Sequence, residues 1–456
     1  MSDATAPPVD PGSVIRSKNY RLLLVLAAVI GAVVSVASWG FLELVHAAQV
    51  GVFEDLPGEL GFDSTPSWWP LPWLALAGVM VAFAIVRLPG RGGHVPWRGL
   101  GDGGVTQPIE LPGVMLAAFA GLSLGVVLGP EAPLIALGMG LAIFSVRLVK
   151  RDTPDQAVGV LAAAGSFAAI SSIFGSPVIG AVIIIEAAGL GGATLPVVLL
   201  PGLMAAGIGS LVFLGMGSWS GLSTSDYALT PLSLPAYSRP DLSDFGWTIV
   251  LAIAAAVVTV GIVEIARRSE SAVGRRPFVL LPLAGLVIAG CAIIFFQTTD
   301  QSTGLVLFSG QDDFEPLVAQ AATLSQSTLA LLLLFKGLAW GVSLGSFRGG
   351  PTFPALFLGV AGGLLASDLP GFSETPAVTG LMGAMCVSML RLPLASVIIA
   401  LILAGSAGVA TAPLIIVAVV VAYVTVELLY ALRASVAGTE SRVGDEAAPA
   451  TAGTAH

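Results

Sequence analysis

Residues 129–140 read GPEAPLIALGMG, and residues 350–362 read GPTFPALFLGVAG. Their first five positions agree at three places: a glycine, the proline directly after it, and a second proline at the fifth position. Each stretch then continues as an apolar segment with closely spaced glycines. Because proline fits the first turn of a helix, both stretches predict helices that begin inside apolar sequence.

The likeness continues downstream of both stretches in the same order. Residues 176–183 (SPVIGAVI) follow the first stretch, and residues 392–399 (LPLASVII) follow the second. The proline that leads each segment lies 44 residues after Pro133 in one case and 39 residues after Pro354 in the other. Two halves with the same order of motifs indicate a duplicated unit.

Charge is scarce around these motifs and throughout the chain. Charged residues make up 10% of the 456 positions, against about 25% in soluble domains, and 55% are hydrophobic. A soluble enzyme, a disordered scaffold or a nucleic-acid binder of this size is therefore excluded, and the net charge of −9 also argues against a polyanion as partner.

Uncharged runs long enough to cross a bilayer recur along the sequence. The alternation of membrane strands is absent, so we predict an all-α polytopic membrane protein. The long runs are 22–42, 111–130, 156–185, 187–225, 245–263, 277–299 and 392–426, and shorter ones fill 70–86, 132–146, 316–335 and 375–390.

Basic residues near the span ends predict the orientation. Arg16, Lys18 and Arg21 place the N-terminus in the cytoplasm, and the acidic stretch 54–63 then lies outside. The predicted organisation is a cytoplasmic tail over 1–20, a membrane domain over 21–432 with halves at about 21–216 and 246–432, and a disordered tail over 433–456. We expect no cleavable signal peptide. We also expect no disulfide, metal site or cofactor, because the two cysteines and three histidines are scattered.

Repeats in transporters often run with inverted topology, and their interrupted helices meet near the midplane to form the substrate site. The start of a broken helix presents free N–H groups and the positive end of its dipole, which suits an anion. The matched motifs therefore favour an anion site at two helix starts. Helix kinks at the prolines are the alternative. The motif and helix-start residues are Gly129, Pro130, Ala132, Pro133, Gly350, Pro351 and Pro354.

These residues resemble the CLC family of chloride channels and chloride/proton antiporters. Residues 129–133 resemble its G-[KR]-E-G-P motif, and residues 350–354 resemble G-x-F-x-P. Residues 391–394 (RLPL) resemble the R-x-P-L helix start, and residues 176–180 (SPVIG) resemble A-P-L-x-G. The ordered set covers about residues 20–430.

The resemblance implies a CLC-type inverted-repeat fold with many tilted and broken helices. It implies a homodimer in the plasma or inner membrane, with both termini cytoplasmic and one pathway per subunit. Chloride is the implied substrate, moved by a passive voltage- or proton-gated channel or by a chloride/proton antiporter. Protons and the lipid bilayer are then the other partners.

Two stretches compete for the family's first motif, G-S-G-I-P. Residues 92–96 (GGHVP) keep the final proline, whereas residues 101–105 (GDGGV) put an aspartate where an anion would lie. Coulomb repulsion disfavours the second stretch, so we prefer the first. Gly93 then replaces the anion-binding serine, and the backbone N–H groups of Gly93, His94 and Val95 would bind the anion. An ordinary glycine-rich loop is the alternative.

Glu131 stands alone as a charge between Glu110 and Arg147. Ionisable residues at such depth indicate function. By resemblance Glu131 is the gating glutamate, whose ionised side chain occupies an anion site and whose protonated form swings away; a helix cap is the alternative.

In the family's antiporters two adjacent glutamates follow the A-P-L-x-G motif, and the second relays protons. Here Glu186 matches the first, and Ala187 takes the place of the second. Glu186 could substitute as the relay, protons could follow another route, or the protein could be an uncoupled channel. A paired structural acid is the alternative reading of Glu186.

The second-half motif and the last helix contribute the other candidates. Pro351 has no N–H, so Thr352 and Phe353 would offer backbone donors to the anion. Tyr430, with Tyr423 as runner-up, would complete the inner site, although tyrosines often belong to an interfacial belt. The basic residues Lys336, Arg348 and Arg391 would either add positive potential along the path or extend towards the cytoplasmic surface.

Two rival functions remain at this point. A secondary transporter of another small anion or solute would share the inverted repeat without needing an acid at the gate. An intramembrane enzyme would need a convergent catalytic set, and His46 is the single histidine near a span. We therefore predict a transporter rather than an enzyme.

Overall fold

The computed structural model describes residues 11–100, 104–192, 195–221 and 229–446, and these fold almost entirely into helices. The first half contains α1 (Pro11–Arg16), α2 (Lys18–Val50), α3 (Leu56–Glu59), α4 (Pro70–Arg87), α5 (Leu111–Ser123), α6 (Glu131–Val149), α7 (Asp155–Ile173), α8 (Pro177–Ala187) and α9 (Leu195–Ser220). The second half contains α10 (Leu242–Val273), α11 (Pro277–Thr299), α12 (Phe314–Ala319), α13 (Gln326–Ser346), α14 (Thr352–Ala366), α15 (Glu374–Leu390), α16 (Pro393–Leu403) and α17 (Gly408–Glu446).

Nine helices within the described ranges are long and apolar enough to cross a membrane. Four further apolar helices have only 10 to 17 residues, among them α8, α14 and α16. At 1.5 Å per residue, an 11-residue helix such as α8 covers about half of a bilayer core. The predicted all-α polytopic fold with broken helices is confirmed.

Several predicted runs are divided where the backbone changes direction. Run 156–185 becomes α7 and α8, because Ser176 caps a new helix that starts at Pro177; its hydroxyl accepts the N–H of Ile179 at 3.4 Å. Run 392–426 divides in the same way between α16 and α17.

Parts of both predicted tails are helical. In the N-terminal tail, α1 occupies Pro11–Arg16. Residues 433–446, where the sequence predicts the start of a disordered tail, continue α17 to Glu446. Six of these 14 residues are the good helix formers Ala, Arg and Glu, and none is proline. Residues 1–10 and 447–456 lie outside the described ranges.

The two halves use small residues in the same way. In the first half, α6 packs against α7 where Gly138 and Gly165 face each other, and a Cβ on either would overlap the other's carbonyl. In the second half, α14 packs against α15, and a Cβ on Gly363 would overlap the backbone at Val378. Small residues allow this close approach of membrane helices. The short helices α8 and α16 contact each other.

The span order defines two sides of the molecule. Because α2 and α4 cross in turn, the segment after Arg87 lies on the side where α2 begins at Lys18. We call this the N-side, and we call the other face the opposite side; the opposite side carries the segment between α11 and α13.

Candidate functional site

The two repeated motifs meet in space. Gly129 N–H donates to the Gly350 carbonyl at 2.7 Å, and Gly350 N–H donates to the Gly129 carbonyl at 2.5 Å. This antiparallel bridge is the one β-type pairing that the structure shows among the residues it describes. Helix α6 begins two residues after Gly129, and α14 begins two residues after Gly350. The bridge therefore brings two helix N-termini together, as the inverted-repeat prediction requires.

Glu131, the first residue of α6, lies in this junction and is fully buried. Its carboxyl group packs on the bridge: a Cβ on Gly350 would overlap the Glu131 carboxyl carbon, and a Cβ on Gly129 would overlap Oε2. Glycine at both positions is what leaves room for the carboxyl group.

The Glu131 carboxyl group spans from one repeat to the other. Its Oε1 accepts a hydrogen bond from Thr352 N–H, the first amide of α14. Within the described residues, Glu131 Oε2 and Thr352 Oγ1 are buried and have no hydrogen-bond partner. The next residue, Phe353, is buried and stacks on Phe174 with ring centroids 5.4 Å apart.

This arrangement is suited to a bound negative charge. The N-terminal amides of α6 and α14 point towards a common place, and each helix end carries a partial positive charge. The Glu131 carboxyl group occupies that place. A buried carboxylate oxygen without a partner is costly to keep ionised, so protonation or replacement by a mobile anion relieves the cost.

Two cavities approach Glu131 from different directions. A small cavity of about 50 Å³ has Leu128 and Pro130 in its wall, together with Gln49 and Asp312, and faces the opposite side. A larger cavity of about 500 Å³, the inner cavity, has Ala132 and Gly349 in its wall and opens to the N-side. Glu131 is thus the residue between the two cavities.

The preferred first-motif residues line the inner cavity. Gly93, His94 and Val95 contribute to its wall together with Pro133 of the Glu131 motif. Gly93 has φ +97°, in the left-handed region that favours glycine. The competing stretch lies partly outside the described residues at 101–103, but Gly104 borders the same cavity.

Tyr430 lies beside the inner cavity rather than in its wall. It borders a second N-side cavity of about 510 Å³ with Ser388 and Arg391, and this cavity adjoins the inner cavity because Arg98, Leu100 and Ala187 line both. The guanidinium of Arg391 stands 5.4 Å from the ring centroids of both Tyr430 and Tyr423 and pairs with Glu427. The structure therefore groups the candidate anion ligands Gly93, His94 and Val95 in one cavity and Thr352 and Phe353 at the bridge, with Tyr430 in the adjoining cavity.

Glu186 caps a helix of the other repeat. Its Oε1 accepts the N–H of Leu394 at 2.9 Å, and its Oε2 accepts the N–H of Ala395 at 2.8 Å. These amides belong to the first turn of α16, where free N–H groups need acceptors. The carboxylate of α8 thereby joins the two repeats on the N-side.

Lys336 of α13 is fully buried, and its ammonium donates hydrogen bonds to backbone carbonyls. Its ammonium donates to Leu305 O at 2.8 Å and Leu307 O at 3.0 Å, with Val306 O at 3.4 Å, and lies 4.2 Å from the Phe357 ring centroid. Its charge is thus used to fix the segment after α11. Arg348, in contrast, lines the inner cavity.

Sequence reasoning missed the direct pairing of Gly129 with Gly350 and the stacking of Phe174 on Phe353. The repeat itself was the available signal for the bridge, since matched motifs in an inverted repeat meet at the pseudo-symmetry axis. Phe174 carried no signal, because it lies outside every motif.

The fold and this junction define an inverted-repeat membrane transporter. A sequence model of the family described as "Voltage gated chloride channel" matches residues 98–427. The chain therefore belongs to this family. It is 30% identical over 377 residues to "Putative ion-transport protein YfeO" of Escherichia coli, covering 81% of this chain and 84% of that protein. The Escherichia fergusonii protein of the same name is 29% identical over the same coverage.

Solved structures share the fold at low identity. A slow cyanobacterial Cl⁻/H⁺ antiporter matches with a TM-score of 0.70 and 20% identity, covering 89% of this chain and 94% of that one. A CLC-type fluoride/proton antiporter matches with a TM-score of 0.64 and 18% identity, covering 88% and 94%. A eukaryotic CLC transporter matches with a TM-score of 0.65 and 15% identity, covering 90% and 73%.

Family membership confirms the predicted class, a multi-pass membrane protein of anion transport that works as a channel or an anion/proton antiporter. A transporter of an unrelated solute is not favoured. The relatives are transporters and channels rather than enzymes.

Proposed function

We propose that this protein moves chloride or a similar small anion across the membrane along the path from the inner cavity to the opposite side, and that Glu131 is its gate. The observation that carries this proposal is the buried Glu131 carboxyl group, which lies between two cavities and accepts the first amide of the other repeat. An ionised Glu131 occupies the anion place, and a protonated Glu131 leaves it.

Uncoupled conduction is the mode that the geometry supports best. The expected relay acid is replaced by Ala187, and both oxygens of Glu186 are engaged by amides of α16. Protonation of a carboxylate held in a helix cap removes the charge that strengthens both hydrogen bonds, which disfavours it as a relay. Anion/proton antiport is the second candidate, because two of the matching structures are antiporters.

Anion and proton fluxes from reconstituted liposomes test the gate. Wild-type liposomes are expected to release chloride under a gradient, and faster at lower pH because protonation removes the competing carboxylate. Glu131→Gln is uncharged at every pH, so its flux should be insensitive to pH. Absence of anion flux from wild type under any gradient or voltage would overturn the function, and a pH response retained in Glu131→Gln would overturn the gate.

Proton flux in the same liposomes decides the mode. When a chloride gradient is the only driving force applied, an uncoupled channel does not use that gradient to pump protons. Proton uptake driven by chloride in wild type, lost in Glu131→Ala, would establish antiport instead. Glu186→Gln should leave proton flux unchanged in either case if Glu186 is a cap.

We also propose the assembly and orientation that the family resemblance implies: a homodimer in the plasma or inner membrane with both termini cytoplasmic. Basic residues at the N-side, such as Arg87 and Arg275, support a cytoplasmic N-side. Native mass measurement in nanodiscs tests the dimer, and protease access to a C-terminal tag in sealed vesicles tests the orientation.

A further inference from the structure

Arg348 is a half-buried cation in the wall of the inner cavity. It follows α13 and precedes the bridge residue Gly350 by two positions. Gly349 lines the same cavity. Arg348 therefore lies in the chain segment that runs along the inner cavity towards the Glu131 junction. Its stem lies beside the first-half loop, since a Cβ on Gly92 would lie 3.4 Å from Arg348 Cγ.

The hydrogen-bonding capacity of Arg348 is largely unused by the described residues. Its Nη1 donates to the Phe347 carbonyl at 3.0 Å, whereas Nε is buried and donates to none of them. Arg348 also forms no ion pair with a carboxylate in the described ranges. A guanidinium carries five N–H donors in a rigid, planar fork, so several remain for another acceptor.

The acids near Arg348 are engaged by other donors. Glu270 is engaged by Arg98, whose Nη2 donates to Oε1 at 2.7 Å, and by Trp97, whose Nε1 donates to Oε2 at 2.7 Å. Glu110 lines the inner cavity, but its Oε2 accepts the N–H of Gln107 at 2.7 Å in a helix cap. Arg98 and His94 are the other titratable residues in the wall. Arg348 is thus the cation available for a mobile anion.

We propose that Arg348 forms an anion-binding site in the inner cavity, and that this site prefers a planar oxyanion, such as nitrate, to a spherical halide. A planar oxyanion can accept two parallel hydrogen bonds from the guanidinium fork, whereas a halide accepts from one point. Arg348 thereby supplies a side-chain donor to the cavity that Gly93 lines without one. The site deepens the proposed function, since it lies on the N-side approach to the Glu131 gate.

Calorimetric titration of sodium nitrate and sodium chloride into the purified full-length protein in detergent tests the site. Wild type should bind nitrate more tightly than chloride. Arg348→Gln should lose at least about tenfold in nitrate affinity, because hydrogen bonds to a charged donor are lost. Arg348→Lys keeps the charge without the planar fork, so it should retain chloride binding and lose the preference for nitrate.

Arg87→Gln is the matched control, because it removes the same charge from an exposed N-side position at the end of α4. Equal nitrate affinity in Arg348→Gln and Arg87→Gln, both monodisperse on gel filtration, would overturn the site. The same nitrate-to-chloride ratio in wild type and Arg348→Lys would overturn the oxyanion preference. Binding is measured without transport, so wild type that binds nitrate but shows no liposome flux would overturn the proposed function and not the site.

Discussion

Gly129 and Gly350 exchange both of their backbone hydrogen bonds, at 2.7 and 2.5 Å, although they are 221 residues apart in the sequence. This pairing fixes the start of α6 relative to the start of α14. Because neither residue has a side chain, the paired backbone also leaves room for the Glu131 carboxyl group to pack directly against it. The proposed gate therefore depends on two glycines as much as on the glutamate.

Gly350→Ala should displace the Glu131 carboxyl group from the proposed gate position. The added methyl group would overlap the Glu131 carboxyl group, which is the far end of a flexible side chain and can move away from Thr352. We expect folded protein whose chloride flux resembles that of Glu131→Gln, with little dependence on pH. Liposome flux at two pH values measures this.

Gly261→Ala is the control for this substitution, since a Cβ at that position of α10 meets no atom within 4 Å. It should behave as wild type. A wild-type pH response in Gly350→Ala would show that Glu131 does not use the space above Gly350.

The membrane class and the repeat could be predicted because they depend on short-range patterns. Apolar runs reveal spans, and the prolines at 133 and 354 mark helix starts. The pairing of the two motifs could not be predicted in the same way, because it depends on how distant helices pack. The placement of Gly93 and Tyr430 in two adjoining cavities depends on the same long-range packing.

Glu186→Ala should destabilise the protein without altering transport selectivity. Two amides of α16 lose their acceptor, and loss of a helix cap costs about 1 kcal/mol. The free energy of unfolding in mixed detergent micelles measures the effect. Asp155→Ala removes a solvent-exposed acid from the first turn of α7 and should have a smaller effect. Equal stability of the two variants would contradict the capping role.

Glu186 also shows how a correct motif can leave a role undecided. The sequence places an acid at the end of α8, but the partner helix α16 begins more than 200 residues later. The sequence alone therefore does not distinguish a proton relay from a structural acid, because the difference depends on how α8 packs against α16. The two hydrogen bonds to α16 favour the structural alternative.

Lys336→Met tests the buried lysine as a structural cation. Methionine keeps the length of the side chain and its contact with Phe357, but it leaves the carbonyls of residues 305–307 without their donor. Unsatisfied buried acceptors should lower the free energy of unfolding by about 1–3 kcal/mol. Unfolding in mixed micelles measures this, and unchanged stability together with reduced anion flux would instead support a role in attracting anions.

Tyr430→Phe separates the ring of this tyrosine from its hydroxyl group. The ring stacks with Arg391, and phenylalanine retains that contact, so the protein should remain folded. Because Tyr430 borders a different cavity from Gly93, we expect chloride affinity to stay within about twofold of wild type, well below the tenfold change that 1.4 kcal/mol would produce. Tyr423→Phe is the matched control, since Arg391 lies equally far from its ring. Calorimetric titration of chloride compares the two variants. A tenfold loss confined to Tyr430→Phe would show that its hydroxyl group binds the anion and that the second cavity belongs to the transport path.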